Sequence, residues 1–350
     1  MFDNPESRTE LSKLGEFGLI DHISKGVEIK HPSSLKGIGD DAAVIDSEGL
    51  LTLVSTDMLV EGVHFDLAYC PIKHLGYKAV VVNVSDIYAM NGLAKQITVS
   101  IALSNRFSVE AIQEFYEGVH LACDHYEVDL VGGDTSSSHS GLIISVTAIG
   151  VAKKEDIIYR NTAQENDLIC VTGDLGAAFA GHKILEREKK IHHENPDIQP
   201  DLAGYEYIIE RQLKPEARWD MLERMKEAGI KPTAMIDVSD GLASEVLHIC
   251  KDSDVGCVVY EEKVPIDVAT CNAAEDLGLS PITCALSGGE DYELLFTVPL
   301  ADFDKVKALK GVSIIGHITE QSAGTYFMTT GGSAIPLETQ GWDAFLNKGE

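Results

Sequence analysis

Short apolar runs of strand length alternate with longer helical patterns along almost the whole of this 350-residue chain. That alternation sets the fold class as α/β or α+β, against all-α or all-β. In the first half, strands are expected at "AAVID" and "LLTLVST", a helix at "HLGYKAVVVNVSDIYAMNG", a strand at "KQITVSIAL", a helix at "SVEAIQEFYEGVHLACDHY" and strands at "VDLVGG" and "LIISVTAIGV". The stretch "KKEDIIYRNTAQEND" is polar and poorly periodic, and a fresh strand, "LICVTGD", follows it. A domain junction is placed there, dividing residues 1–152 from residues 153–350. The second half reads as a helix at "LGAAFAGHKILEREKK", an exposed loop at "IHHENPDIQPDLAG", a helix at "PEARWDMLERMKEAGI", a strand in "TAMIDVSD" and a helix at "DGLASEVLHICKDS". Strands are expected beyond it in "GCVVY", "YELLFTV", "VSIIGHI" and "TYFMTT". His192, His193 and Glu194 lack the HExxH spacing that sets two histidines on one helical face, and they are read as loop.

Charge narrows the function classes. Asp+Glu 56 against Lys+Arg 28 gives a formal net charge of -28, which repels nucleic-acid backbones and anionic membrane surfaces. Anionic substrates then need cations to screen them, and hard divalent ions held by carboxylates are the natural choice. The polar opening "MFDNPESRTELSKLGEFGLI" has no signal-like apolar core and no later run reaches membrane-spanning length, so a cytoplasmic location is expected. The 7 cysteines are scattered without a CxxC pair and read as small buried hydrophobes.

Aspartates recur where an apolar segment meets Gly, Ser or Thr: Asp41 in "GIGDD", Asp57 in "VSTDM", Asp86 in "NVSDI", Asp134 in "VGGDTSSS", Asp174 in "VTGDLG", Asp237 and Asp240 in "MIDVSDG", and Asp291 in "SGGEDYE". Each taken alone is explained by capping or turn preference. Together they suggest a shared crevice, where several acids repel unless cations sit among them, and Mg²⁺ suits such a site because it takes oxygen ligands and phosphates at once. In "GIGDDAAVID" an extended backbone would turn Asp40 and Asp41 to opposite faces, so only one of them could meet the site. No GxxxxGK[ST] occurs, which excludes a P-loop kinase.

The blocks "GIGDDAAVI", "STDMLVEGVHF", "YKAVVVNVSDIYAMNG", "VGGDTSSS", "IDVSDGLASE" and "SGGEDYELLF" stand in the order and rough spacing of bacterial thiamine-monophosphate kinase. The chain resembles that family, within the superfamily of aminoimidazole ribonucleotide synthetase and selenophosphate synthetase, from "EFGLI" to "GWDAF". The resemblance implies a two-domain protein that dimerises through its N-terminal domains and moves the γ-phosphoryl of ATP onto thiamine monophosphate. By motif position it implies magnesium ligands at Asp41, Ser55, Thr56, Asp57, Asp86, Asp134, Asp237 and Asp240, with Asp57, Asp86, Asp134 and Arg160 central to catalysis. It implies nucleotide contacts at Gly133, Asp134, Arg160, Ser239 and Tyr126, and thiamine monophosphate contacts at His64, Glu290 and Trp342. Lys78 is either a second cation for the phosphates or a surface or capping residue, and Trp342 either meets the substrate or packs a C-terminal segment. The loop from Ile191 to Gly204 and Ala217 in "RQLKPEAR" depart from the family pattern without touching a proposed ligand. The rival readings are an aminoimidazole ribonucleotide synthetase-type ligase, disfavoured by "STDMLVEGVHF", and a non-catalytic magnesium- or nucleotide-binding protein.

Overall fold

Alternating burial along two long strands, Leu51–Val60 and Ile143–Ala152, fixes one face of the first sheet as core and leaves the other open. The computed structural model describes Gly18, Ile20, His22 and residues 30–338; Trp342 lies outside the described residues. The first sheet contains β1 (Ser34–Lys36), β2 (Ala43–Asp46), β3 (Leu51–Val60), β4 (Leu93–Leu103), β5 (Asp129–Ser137) and β6 (Ile143–Ala152) in the spatial order β1-β2-β3-β6-β4-β5. All neighbours are antiparallel except β4 and β5.

Helices α1 (Ile72–Ala89) and α2 (Val109–Tyr126) pack on the core face. α2 is a surface helix: the Ser108 hydroxyl accepts from Ala111 N at 3.2 Å to cap its start, and Glu127 ends it in the left-handed conformation at φ 54. α1 is different. From Leu75 to Ala89 nearly every residue is buried, as expected for a helix with apolar residues on all sides. Its neighbours are the sheet and α2 on one side, and elements of the second half of the chain on the other.

That second half is built on a seven-stranded sheet of β7 (Leu168–Thr172), β8 (Ala234–Asp237), β9 (Val255–Tyr260), β10 (Leu294–Val298), β11 (Val312–Glu320), β12 (Thr325–Met328) and β13 (Ala334–Pro336), ordered β13-β12-β9-β11-β7-β10-β8. β7, β8 and β10 are buried at every residue, which is why they read as unbroken apolar runs. Around them lie α3 (Ala177–Glu194), α4 (Glu206–Leu213), α5 (Trp219–Glu227), α6 (Leu242–Ser253), α7 (Val268–Asp276), α8 (Pro281–Ser287) and α9 (Phe303–Ala308). No described helix is long and apolar enough to cross a membrane.

Some sequence expectations change. His192 and His193 close the last turn of α3 instead of opening a loop, a placement that suits basic side chains at a helix C-terminus. The helix expected from Pro215 starts only at Trp219. α4, α7, α8 and α9 went unread because they are too short to show a sustained apolar stripe.

α1 and α2 approach through glycine. A Cβ on Gly118 would lie 1.8 Å from the Lys73 carbonyl oxygen, and one on Gly76 would lie 2.0 Å from that of Phe115. Backbone cannot yield as a side-chain tip can. Gly118→Ala is therefore expected to destabilise the protein by about 1–3 kcal/mol, the usual cost of overpacking, read as a lower urea midpoint at unchanged slope. An unchanged midpoint would mean the helix pair is looser than described.

Candidate active site

Four polar positions on α1, three of them buried and Asp86 half-buried, organise the site. Asn83 accepts from the backbone N–H of Asp57 at 3.0 Å and donates to Ala79 O at 3.0 Å, pinning β3 where its exposed acid sits. The Ser85 hydroxyl donates to Asp237 Oδ2, and Asp86 Oδ2 accepts from the Ser55 hydroxyl. Lys78 Nζ donates to Glu290 Oε2 at 2.6 Å and to the Gln212 carbonyl at 3.1 Å. Lys78 is thus buried and not a surface residue, and its bond to the Gln212 carbonyl caps the last turn of α4.

Asp41, Asp57, Asp86 and Asp237 form one electrostatic group, and their carboxyls are held above the ordinary range. Burial lifts Asp41 well above it, with Asp237 and Asp40 adding repulsion. Burial does the same to Asp86, with Asp57, Asp237 and Asp41 adding theirs. Asp237 is pushed up to about 6 by burial, partly offset by the Ser85 hydrogen bond. Asp57 is also raised to about 6 by the protein crowded around it, although it remains open to solvent on one side. Glu245 joins the group: it is buried, its pKa is raised well above the usual value by burial and by Asp240, and its Oε1 accepts from Asp240 N at 3.0 Å. Arg160 is the nearby cation, with Nε donating to Asp252 Oδ2 at 2.7 Å and Nη1 3.9 Å from Asp41 Oδ1.

Asp40 and Asp41 divide their roles, but not by strand alternation. They lie in a bend ahead of β2. Asp40 Oδ1 accepts from Asp41 N at 3.1 Å and its other oxygen pairs with Lys36 at 3.5 Å, so it braces the bend, while Asp41 faces the acids and Arg160.

Other sequence candidates fall elsewhere. Thr56 lies between Ser55 and Asp57 on β3 and points to the opposite, open face, where its hydroxyl donates to Val146 O and meets Thr147 Oγ1, both at 3.0 Å. Gly133 and Asp134 lie on β5, at the sheet edge. The register runs Asp57, Val146, Val99, Gly133 across the sheet. Gly133 and its neighbour Asp134 are therefore about three strand spacings, roughly 14 Å, from Asp57 itself. Asp134 shares the row of Met58 on the open face. Tyr126 is buried between the halves, donating to Glu216 Oε2 at 2.7 Å and accepting from Ala217 N at 2.9 Å. Asp291 and Asp174 serve a separate network: Asp291 caps α3 through Gly176 N at 2.7 Å, and Asp174 accepts from Tyr207 at 2.6 Å.

His64, Phe65, Tyr69, Cys70, Lys78, Gln212 and Leu213 line a small pocket. His64 is oriented by Val60 N, which donates to its Nδ1 at 3.0 Å. Glu290 stands beside the pocket, bound to Lys78 and to Gln212 Nε2 at 3.0 Å. Its N–H donates to Ser239 O at 2.7 Å, and Ser239 lies between Asp237 and Asp240, so pocket and acids share a wall. Sequence reading missed Asn83, Ser85 and Glu245; the first two were visible as polar breaks in an otherwise apolar helix.

A mixed α/β chain with acids converging beside a narrow pocket defines a class, and comparison with known proteins agrees. The family model for AIR synthase related protein, N-terminal domain, matches residues 39–152, and that for the C-terminal domain matches residues 164–328. Thiamine-monophosphate kinase of Aquifex aeolicus is 35% identical over 327 residues, covering 91% of this chain and 99% of that one. The Bacillus subtilis protein of the same name is 35% identical over 338 residues, covering 95% and 100%. A solved structure of AaThiL complexed with AMPPCP and TMP superposes with a TM-score of 0.83 at 34% identity, covering 97% of this chain and 100% of that one. The chain belongs to the thiamine-monophosphate kinase family of AIR synthase-related proteins.

The raised acids make a stability prediction. In the folded protein Asp237 holds its proton to about 6, against a usual carboxyl value of 3.8. Below 3.8 it is neutral in both folded and unfolded chains; between 3.8 and about 6 only the unfolded chain ionises, so stability falls across that interval, and above 6 both are ionised but the folded chain holds the charge buried. In chelator, Asp237→Asn should melt at the same temperature as the unchanged protein near pH 4 and higher than it above pH 6. A gap independent of pH would contradict the raised pKa.

Proposed function

We propose that this chain transfers the γ-phosphoryl group of ATP to thiamine monophosphate, giving thiamine diphosphate and ADP. The carrying observation is that α1 ties an acid cluster and a small pocket together while the pocket's Glu290 hydrogen-bonds to the loop bearing Asp237 and Asp240. Family membership and a relative's complex with AMPPCP and TMP support the same assignment.

The acids fit divalent cations. Asp41 Oδ2 is buried with no hydrogen-bond partner among the described residues, and its neighbours are carboxylates. No three described His, Cys, Asp or Glu side chains are grouped to hold a metal ion unaided. That suits a cluster of Mg²⁺ ions, each usually held by one or two carboxylates, water and substrate phosphates. We assign its binding to Asp41, Asp57, Asp86, Asp237 and Asp240, with Ser55 holding Asp86 in place. When bound, the metal neutralises charge on the phosphates.

The remaining work falls to the chain. The acceptor is a phosphate monoester, largely dianionic at neutral pH if its second pKa is near 6 as in phosphorylated side chains, so no general base is required. Catalysis is then alignment and charge neutralisation. Arg160, anchored by Asp252 beside Asp41, is assigned to the nucleotide, as is Ser239 in the loop that Glu290 N–H meets. His64 and Glu290 are assigned to the acceptor, and Trp342 by motif alone. Gly133 and Asp134, three strands away from Asp57 across the sheet, keep only their motif assignment to the nucleotide.

We assign residues 1–152 and 153–350 to two domains, since each half builds its own sheet. A homodimer through the first is supported by the uncovered face of the six-stranded sheet, where Met58 is 55% exposed beside half-buried Val54, Val60, Ile143 and Ile149. Met58→Asp should convert a dimer to a monomer in sedimentation velocity; an unchanged sedimentation coefficient would remove this face from the interface.

The decisive assay follows ADP release from ATP and Mg²⁺. Release should be steady only when thiamine monophosphate is added, and Asp86→Asn should abolish it without lowering the melting temperature, because a buried repulsion is relieved. No turnover with thiamine monophosphate would overturn the proposal.

A further inference from the structure

The Lys78 and Glu290 pair joins residues 212 positions apart across the two halves of the molecule. Its partners are unequally placed: the Lys78 side chain is 4% exposed and that of Glu290 27%. The lysine is sealed and the glutamate reaches solvent beside the pocket. Both donors, Lys78 Nζ at 2.6 Å and Gln212 Nε2 at 3.0 Å, go to Oε2 of Glu290. No hydrogen bond reaches Oε1 from the described residues, so one carboxylate oxygen is anchored and the other is available to a ligand.

The backbone reinforces the placement. Glu290 stands at φ 62 and Tyr292 at φ 52, both in the left-handed region that side chains rarely adopt. The segment is held there by Glu290 N donating to Ser239 O at 2.7 Å and Tyr292 N donating to Val238 O at 2.9 Å. Such a conformation persists only where its surroundings over-determine it, and it is commonly kept at ligand-binding sites. Lys78 completes the hold from the other half of the chain, and its second bond, to the Gln212 carbonyl, fixes the end of α4 that lines the same pocket.

We propose that Lys78 is a positioning residue for the phosphate acceptor: it holds Glu290 so that Oε1 meets a positively charged or N–H-bearing heterocycle. The inference rests on the proposed kinase activity, since thiamine monophosphate carries both a thiazolium and an aminopyrimidine. A carboxylate held by a buried ammonium is ordered before the acceptor arrives, so the binding step does not have to order it. Lys78 acts through Glu290, and its removal should be felt by the acceptor and not by ATP.

Steady-state kinetics of the full chain with both substrates test this. Lys78→Met should raise KM for thiamine monophosphate by about tenfold or more while KM for ATP stays within about twofold. Glu290→Gln should do the same, and Lys78→Met/Glu290→Gln should match Glu290→Gln alone within about twofold, because a residue acting only through another is silent once that other is gone. The double variant removes both charges together and keeps the test available should Lys78→Met fail to fold. Equal losses for ATP and acceptor, or a double variant about tenfold worse than Glu290→Gln, would overturn the role of Lys78. An unchanged chain that does not turn over thiamine monophosphate would overturn the kinase reading, whereas an active unchanged chain with an unselective Lys78 variant would overturn this inference alone.

Discussion

A helix buried on every side can carry a polar residue only where a partner meets it, and α1 carries several. Each buried valine or isoleucine on it is worth about 1.5–3 kcal/mol, whereas a buried polar group left unpaired costs about 1–3 kcal/mol. Lys78, Asn83, Ser85 and Asp86 therefore dictate what must surround the helix: Glu290, the Asp57 backbone, Asp237 and Ser55. The groups that satisfy α1 join the acids to the pocket. A scaffold element thus anchors Asp237 and the loop residue Glu290, beside the loop residues Asp41 and Ser239 that complete the site.

The cluster of acids is the opposite kind of feature, one that the fold tolerates. Asp41, Asp86, Asp237 and Glu245 are held above their usual carboxyl range chiefly by burial and by one another. Arg160 is the nearby cation, shared between Asp252 and Asp41. The contrast with Glu293 is instructive. That equally buried acid is met by Arg211 at 2.9 Å and by the Thr172 hydroxyl at 2.5 Å, within a closed network on the second sheet. Matched charges there are structural; unmatched ones beside the pocket are what a phosphate-handling site needs.

Much of this was legible in the sequence. Strand and helix alternation gave both sheets their main strands, because runs such as "LICVT" and "LLFTV" are buried on both faces and cannot be mistaken for surface. α1 was readable as a helix despite its valine run, since burial overrides the weak preference of β-branched residues. The recurring aspartates were visible, but their sorting was not. Asp291 and Asp237 both follow apolar segments, and only the fold reveals that one caps α3 while the other meets Ser85. Thr56 shows the same limit: it adjoins two site residues in sequence, and strand geometry turns it away. Asp134 stands apart for a different reason, since strand order across a sheet cannot be read from motif spacing.

The reach of the Lys78 and Glu290 contact has a consequence for synthesis on the ribosome. The six-stranded sheet is complete at Ala152, when the partners of Lys78 and Ser85 have not yet been translated. The cover of α1 then arrives in stages, with Gln212, Glu216 and Asp237 made before Glu290. A nascent chain therefore passes through a stage with a finished sheet and an unsheltered, partly apolar helix. The arrival of the "SGGEDYE" segment supplies Glu290, the partner of Lys78 beside the pocket, so the pocket wall is completed only late in synthesis.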